Sequence, residues 1–298
     1  MSFEFLDFLL ERAAPPLCGI NVDRKWARFI LFGYPFDGTV WQRPGTRFGP
    51  RAIREASLGL EEYSVRTGLF MDELMIHDAG DLQVLTGDIY QTARRVEKVV
   101  REIIENEKTP IIIGGEHTVT LPAVSTILPD ILIVFDAHLD LRSEWPLGVK
   151  YSHATVMRRI AERIGAENIV FIGTRAISRE EYEYVKGRNI LIINALKVRR
   201  NLQEAVRMLE SRLRDADTIY VSVDVDVLEP GIAPGVSDPE PEGLIPYELF
   251  ELLYNVIDER LVGADIVEVS PLNDNGVTTY YAAKITLEMA AYKVYKSK

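Results

Sequence analysis

Apolar and polar positions follow two rhythms along this chain. Continuous apolar runs, the mark of strands covered on both faces, stand at residues 28–34, 110–113, 131–135, 169–172, 189–193, 218–223 and 264–269. Between them the apolar residues recur at helical spacing, over 88–108, 156–164, 202–213, 246–256 and from about 279 onward. A loop punctuated by Pro and Gly, QRPGTRFGPRAIREAS, follows the first run and leads into a short helix. Strand and helix alternate without long interruption, which predicts an α/β fold with a mainly parallel sheet and helices on both faces. In such sheets ligands bind beyond the carboxyl ends of the strands. Near the start, Phe5, Phe8 and Leu9 fit one helical face, expected to dock on the core or on a neighbouring subunit.

Composition narrows the class. With 298 residues, 47% of them hydrophobic, the chain can bury a large core. No linker or charge block divides it, so one domain over 1–298 is expected. The single cysteine, Cys18, excludes an internal disulfide. No second residue marks it as a nucleophile. No apolar run approaches membrane-spanning length. Glu4 and Asp7 interrupt the apolar start with no basic residues ahead of it, the reverse of a secretory signal, and a cytoplasmic protein is expected. The net charge of −11 argues against nucleic-acid or membrane partners and agrees with a cationic small substrate.

The chemistry lies where His and Asp occur. Of four histidines, His117 and His138 stand just past strand ends among carboxylates. In ILIVFDAHLD, Asp136, His138 and Asp140 alternate at period two after an apolar run, so an extended chain projects all three to one face. Asp224 and Asp226 repeat the pattern in VSVDVDVLEP, and His117 follows a glycine turn in IIIGGEHTVT. A lone Asp at a strand end caps the next helix, and a lone His there is an ordinary hydrogen-bonded residue. Six such residues at three strand ends ask for a cation, because unpaired buried charges and facing carboxylates are costly. Two imidazoles with four carboxylates and no thiolate suit Mn²⁺, with Zn²⁺, Co²⁺ or Ni²⁺ as substitutes. Four carboxylates exceed the needs of one catalytic zinc, so two ions roughly 3.5–4 Å apart are expected. His77, in MIHDAGD, lacks such company and reads as structural.

GGEHT, DAHLD and SVDVDVLEPGIAPG resemble the signature motifs of the ureohydrolases, the arginase and agmatinase family, and YSHAT and VEVSPLND extend the resemblance over nearly the whole chain. It implies a three-layer α/β sandwich, assembled as a trimer or hexamer. It implies that His117, Asp136, Asp140 and Asp224 hold one manganese and Asp136, His138, Asp224 and Asp226 the other, with Asp136 and Asp224 shared. His153 would be the catalytic proton shuttle at the pocket mouth, Glu268 the carboxylate holding the guanidinium, and Asp140 the group carrying a proton to the leaving amine. The implied reaction hydrolyses a small guanidino substrate to urea and an amine.

GYPFDGTVWQRPGTRFGPRAIREAS resembles the agmatinase branch, which points to agmatine, or to aminopropylagmatine. Guanidinobutyrate, arginine and formimidoylglutamate remain alternatives. After DAHLD, Arg142 could bind a carboxylate tail and Glu144 an amine tail. Glu116, Glu229 and Ala154 depart from the family pattern conservatively. Val236-Ser237-Asp238 stands where the family has Thr-Gly-Thr; Asp238 either favours a cationic tail or caps the turn before Pro239. A dinuclear phosphoesterase would want Arg and Lys at these strand ends. A member that only binds metal or a partner would have lost part of the set.

Overall fold

The computed structural model describes residues 3–298. Eleven strands form among them: β1 (Leu10–Glu11), β2 (Phe29–Tyr34), β3 (Tyr63–Ser64), β4 (Leu69–Phe70), β5 (Ile76–Leu82), β6 (Thr109–Gly114), β7 (Ile131–Phe135), β8 (Ile169–Ile172), β9 (Leu191–Ile193), β10 (Ile219–Asp224) and β11 (Leu261–Val267). Nine of them build one sheet in the order β1-β5-β2-β6-β11-β10-β7-β8-β9, parallel except where β1 pairs with β5; β3 and β4 form a separate hairpin. The expected strands and the helices at Ile89–Glu105, Val156–Ile164, Leu202–Arg212, Pro246–Val256 and Val277–Lys296 are present, with boundaries moved by up to three residues.

The central strands are apolar throughout because both faces are covered. Along β7, Ile131, Ile133 and Phe135 join one core cluster, while Leu132 and Val134 join the other. The same split separates Ile111 and Ile113 from Ile112 in β6. Period-two alternation therefore feeds two helical layers.

β5 escaped the sequence pattern. IHDAGDL carries residues depleted in strands, yet buries every second position from Ile76. The buried guanidinium of Arg54 makes this possible: it donates to both carboxylate oxygens of Asp78, at 2.8 and 2.9 Å, and to Asp81 at 2.6 Å. Gly80, at φ +99°, lies so close to the neighbouring strand that a Cβ would meet the Glu11 carbonyl. His77 in β5 contacts the Val22 carbonyl through Nδ1 at 2.7 Å, far from the strand ends that gather the other histidines.

In the N-terminal helix, Glu4–Leu9, only Leu9 of the expected face docks on the chain's own core. Its inward side is Phe3, Leu6 and Leu9, not Phe5 and Phe8, which are exposed. Phe3, Leu6 and Leu9 follow i, i+3 spacing and Phe5, Phe8 and Leu9 follow i, i+3, i+4, so both fit a helical face; the Glu102 carboxylate holds the observed one by accepting the Phe5 and Leu6 backbone N–H groups at 2.9 and 2.7 Å.

Candidate metal centre and active site

The sheet order explains why the candidate residues meet. β6, β11, β10 and β7 are adjacent, parallel and central, so their carboxyl ends open on one spot. β6 delivers His117 through Gly114-Gly115, β11 delivers Glu268, β10 ends in Asp224 with Asp226 in the next turn, and β7 runs into Asp136, His138 and Asp140. Gly115 is needed there: a Cβ would stand 2.0 Å from the Phe36 carbonyl oxygen.

His117 is wholly buried. Its Nε2 lies 2.9 Å from the Ser222 hydroxyl, which donates onward to Asp265 at 2.5 Å. Ser222 therefore accepts from Nε2–H, and the Nδ1 lone pair faces inward. There it meets Asp140 Oδ2 at 3.1 Å, Asp136 Oδ2 at 3.3 Å and Asp224 Oδ2 at 3.5 Å. Neither Nδ1 nor Asp136 Oδ2 has a hydrogen-bond partner. Ligand atoms of His117, Asp136 and Asp224 thus lie within 4.8 Å of one another, as a shared cation requires, whereas Asp140 meets His117 Nδ1 but stands outside that group. A second group sits beside it: His138 Nδ1 is 2.8 Å from Asp226 Oδ2 and 3.5 Å from Asp136 Oδ1. Asp136 belongs to both groups; Asp224 falls in the first only. The second oxygens are held by backbone: Asp136 accepts from His138 N–H, Asp224 from Asp226 N–H and Asp226 from Ala137 N–H.

Burial opposes the imidazolium of His117, but the close carboxylates of Asp136 and Asp140 outweigh it and hold the ring well above its ordinary pKa. His138 is raised likewise by Asp226 and Asp136 against burial. Burial and the neighbouring Asp136 charge push Asp140 up to about 7. Burial with Asp226 and Asp136 pushes Asp224 well above the usual carboxylate range.

Glu268 lies at the rim of this cluster. Its Oε1 accepts the His117 backbone N–H at 2.8 Å, while Oε2 is buried with no partner. Burial, then the Glu116 charge, raises its pKa well above normal. Both Glu268 and Asp140 adopt left-handed backbone, at φ +63° and +51°, a strained choice for residues with side chains.

His153 reaches the same cavity from Ser152-His153-Ala154, and its orientation is set by Thr39. The Thr39 hydroxyl donates to Glu116 Oε1 at 2.9 Å and lies 3.2 Å from His153 Nδ1. With its one proton given to the carboxylate, the hydroxyl can only accept from the ring. Nδ1 therefore carries the proton, and basic Nε2 faces the pocket, 4.0 Å from Asp238 Oδ2. Burial and the nearby His138 and His117 hold His153 down at about 4. Glu116, fully buried, also accepts from Thr39 N–H and the Thr118 hydroxyl, and burial pushes it up to about 7.

The cavity measures about 390 Å³, within the range of small-ligand sites. Trp41, Arg43, Arg142, Trp145, Asp238 and Glu240 form its outer wall. Of the two residues expected to read a substrate tail, Arg142 lines the wall, stacked over the Trp145 ring at 4.6 Å. Glu144 instead accepts the Gly148 N–H within its own loop. The wall is rigidly tied. Arg175 donates to the carbonyls of Gly173, Asp226, Val227, Leu228, Glu240 and Pro241, all at 2.7–3.3 Å, clamping the Asp226 turn to the Asp238–Glu240 segment. Asp37 anchors the opposite loop by accepting from Gly45 N–H and the Arg47 guanidinium.

Thr39, Ser222, Asp265 and Arg175 were missed in the sequence. The signal for two of them was present: Ser222 and Asp265 are polar residues inside otherwise apolar strands, where each needs a partner. Nothing local in the sequence marks Thr39 or Arg175.

The arginase family profile matches residues 27–291. An agmatinase of Halalkalibacterium halodurans is 38% identical over 270 residues, covering 88% of this chain and 91% of the relative. An N(1)-aminopropylagmatine ureohydrolase of Thermococcus kodakarensis is 38% identical over 267 residues, covering 89% and 90%. Among solved structures, the agmatine ureohydrolase of Thermoplasma volcanium superposes with a TM-score of 0.87 at 34% identity, covering 99% of this chain and 98% of that one. Matched in sequence and in fold along most of its length, the chain belongs to the arginase family.

Proposed function

We propose that this chain, acting as one catalytic domain over 1–298, is a manganese-dependent ureohydrolase that splits a cationic guanidino substrate into urea and an amine. The observation that carries this reading is the inward Nδ1 of His117, unpartnered among three carboxylates, beside a second unpartnered oxygen on Glu268. The names of the agmatinase and aminopropylagmatine relatives point to agmatine, or its aminopropyl extension, as substrate.

His117, Asp136, Asp140 and Asp224 would hold one ion, and Asp136, His138, Asp224 and Asp226 the other. Divalent ions bound there supply an acidified water and neutralise the clustered carboxylates. Glu268 offers Oε2 to the planar guanidinium and fixes the reacting carbon over the cluster by charge-assisted bonds. Asp140 takes a proton and delivers it to the nitrogen that departs as the amine. His153, neutral with Nε2 toward the pocket, exchanges protons between that nitrogen and solvent. Asp238 faces the far end of the substrate. A trimer or hexamer in the cytoplasm, without nucleic-acid or membrane partners, completes the proposal; no helix among the described residues is long and apolar enough to cross a membrane.

One observation favours a second reading: Arg142 lines the wall, where a carboxylate tail such as that of guanidinobutyrate could meet it. Urea release by the manganese-loaded protein from agmatine, aminopropylagmatine, arginine and guanidinobutyrate tests both. Chelation should abolish release and Mn²⁺ restore it. Preference for guanidinobutyrate would select the second reading, and no urea from any substrate would refute the reaction.

A further inference from the structure

The outer wall of the cavity carries more information than the charge of its residues. Asp238 and Glu240 offset Arg43 and Arg142, so net charge chooses no tail. Partners do. Arg142 already has one, the face of Trp145 at 4.6 Å. Asp238, with a side chain only 26% exposed, accepts no hydrogen bond; its nearest basic atom is His153 Nε2 at 4.0 Å. A half-buried carboxylate without a donor wants a cation. Beside it, the Trp41 and Trp145 rings meet nearly at right angles, with centroids 5.8 Å apart and planes at 78°. Trp41 is 57% exposed, so more than half of its surface is open to a ligand. Indole faces take both methylene chains and alkylammonium groups.

Resting on the ureohydrolase reading above, we infer that Trp41, Trp145 and Asp238 form a subsite for the distal arm of a guanidino polyamine. The inner ammonium of a long substrate pairs with Asp238. The aminoalkyl arm beyond it lies along the two indoles, with its terminal ammonium over the free face of Trp41. Agmatine, which ends at the inner ammonium, leaves the indoles unused. The rim thus makes the enzyme selective for the aminopropyl-extended substrate by length.

The test is the ratio of kcat/KM for aminopropylagmatine to that for agmatine, on the manganese-loaded protein. Wild type should favour the longer substrate. Trp41→Ala should lower the ratio roughly 2- to 30-fold, the span of a cation–π contact from exposed to desolvated settings. Trp41→Leu, which keeps apolar area, should recover only part of it, and Trp41→Phe most of it. Leu147→Ala, on the same exposed loop but outside the cavity wall, should leave the ratio as in wild type. An unchanged ratio in Trp41→Ala and Trp145→Ala overturns the subsite. If wild type releases no urea from either substrate, the reaction itself is refuted. The subsite is then judged by Trp fluorescence titration: spermidine must bind more tightly than putrescine, and Trp41→Ala must remove the difference. Equal affinities in wild type overturn it.

Discussion

Replacing Glu268 by Gln separates binding from folding, because the two oxygens of this side chain have different tasks. Oε1 accepts the His117 backbone N–H at 2.8 Å. A Gln carbonyl placed there keeps that bond, so His117 stays in position. Oε2, buried and unpartnered, becomes an NH₂ group facing the guanidinium, donor against donor. Removing one member of a buried charged pair costs about 2–5 kcal/mol, so KM for agmatine should rise roughly 30- to 5,000-fold. Stability of the metal-free protein should move the other way. Glu268 stands among Glu116 and Asp238, which disfavour its charge along with burial; a neutral amide relieves that repulsion. Each kcal/mol gained appears as a rise of about 2 °C in Tm for a chain of this size. The assays are urea release against substrate concentration and thermal melting in chelator. A variant that keeps KM within tenfold would refute the role of Oε2. One that loses both binding and stability would show the side chain to be a structural strut.

Three further outcomes follow from the same geometry. Asp136, shared by both ligand groups, should be indispensable: Asp136→Ala should abolish urea release and the rise in Tm that saturating Mn²⁺ gives wild type, about 2.7 kcal/mol at a hundredfold excess over Kd, and activity surviving both this change and Asp224→Ala would refute shared coordination. Thr39→Val removes the acceptor for His153 Nδ1–H and should lower kcat about 10- to 100-fold with little change in KM; a kcat within twofold of wild type would show that the ring is oriented without Thr39. Glu116 is raised to about 7 by burial, so the folded state binds its proton more tightly than the unfolded chain, and its stabilising contribution is lost as pH rises from about 4.5 through 7; in metal-free protein the Tm of Glu116→Gln relative to wild type should therefore climb from pH 5 to pH 8, and a difference constant with pH would refute the buried titration.

Most of the fold was legible because its central strands are buried on both faces and read as plain apolar runs. The segment that was not legible, β5, is one whose stability comes from elsewhere in the chain: Arg54, twenty-four residues before Asp78, turns an Asp-bearing segment into a strand. Sequence spacing also could not choose which side of the first helix faces inward, since the Glu102 carboxylate that settles it lies nearly a hundred residues away. At the site, the Asp and His residues announced themselves as charged positions directly after apolar runs, although only Asp224 lies within a strand and the chain does not stay extended as far as Asp140. Of the residues that orient them, Thr39 and Arg175 carry no local signal, while Ser222 and Asp265 stand out as polar positions in apolar strands whose partners appear only once the sheet places β10 beside β11 and both beside His117. The tail-reading question turned on loop geometry: Arg142 and Glu144 are two residues apart, yet one meets the cavity and the other folds back on Gly148.

Physical costs collect where the candidate chemistry is. Two of the non-glycine residues in left-handed backbone are Asp140 and Glu268, each a carboxylate aimed at the cavity. Strain of this kind costs about 1–3 kcal/mol per residue, and the unpartnered atoms of His117, Asp136 and Glu268 add desolvation without compensation. None of this improves the metal-free fold. Apolar residues of similar size at these positions would relieve both the repulsion and the lost hydrogen bonds. The surrounding sheet, with the flanking residues of β6, β7, β10 and β11 fully buried, is rigid enough to hold the arrangement against those costs. On the proposed reading, a cation at Nδ1 of His117 would remove the repulsion among Asp136, Asp140 and Asp224, and a guanidinium at Glu268 would satisfy the remaining oxygen. Both ligands would then meet a site whose shape is already fixed, with little of their binding energy spent on ordering the protein.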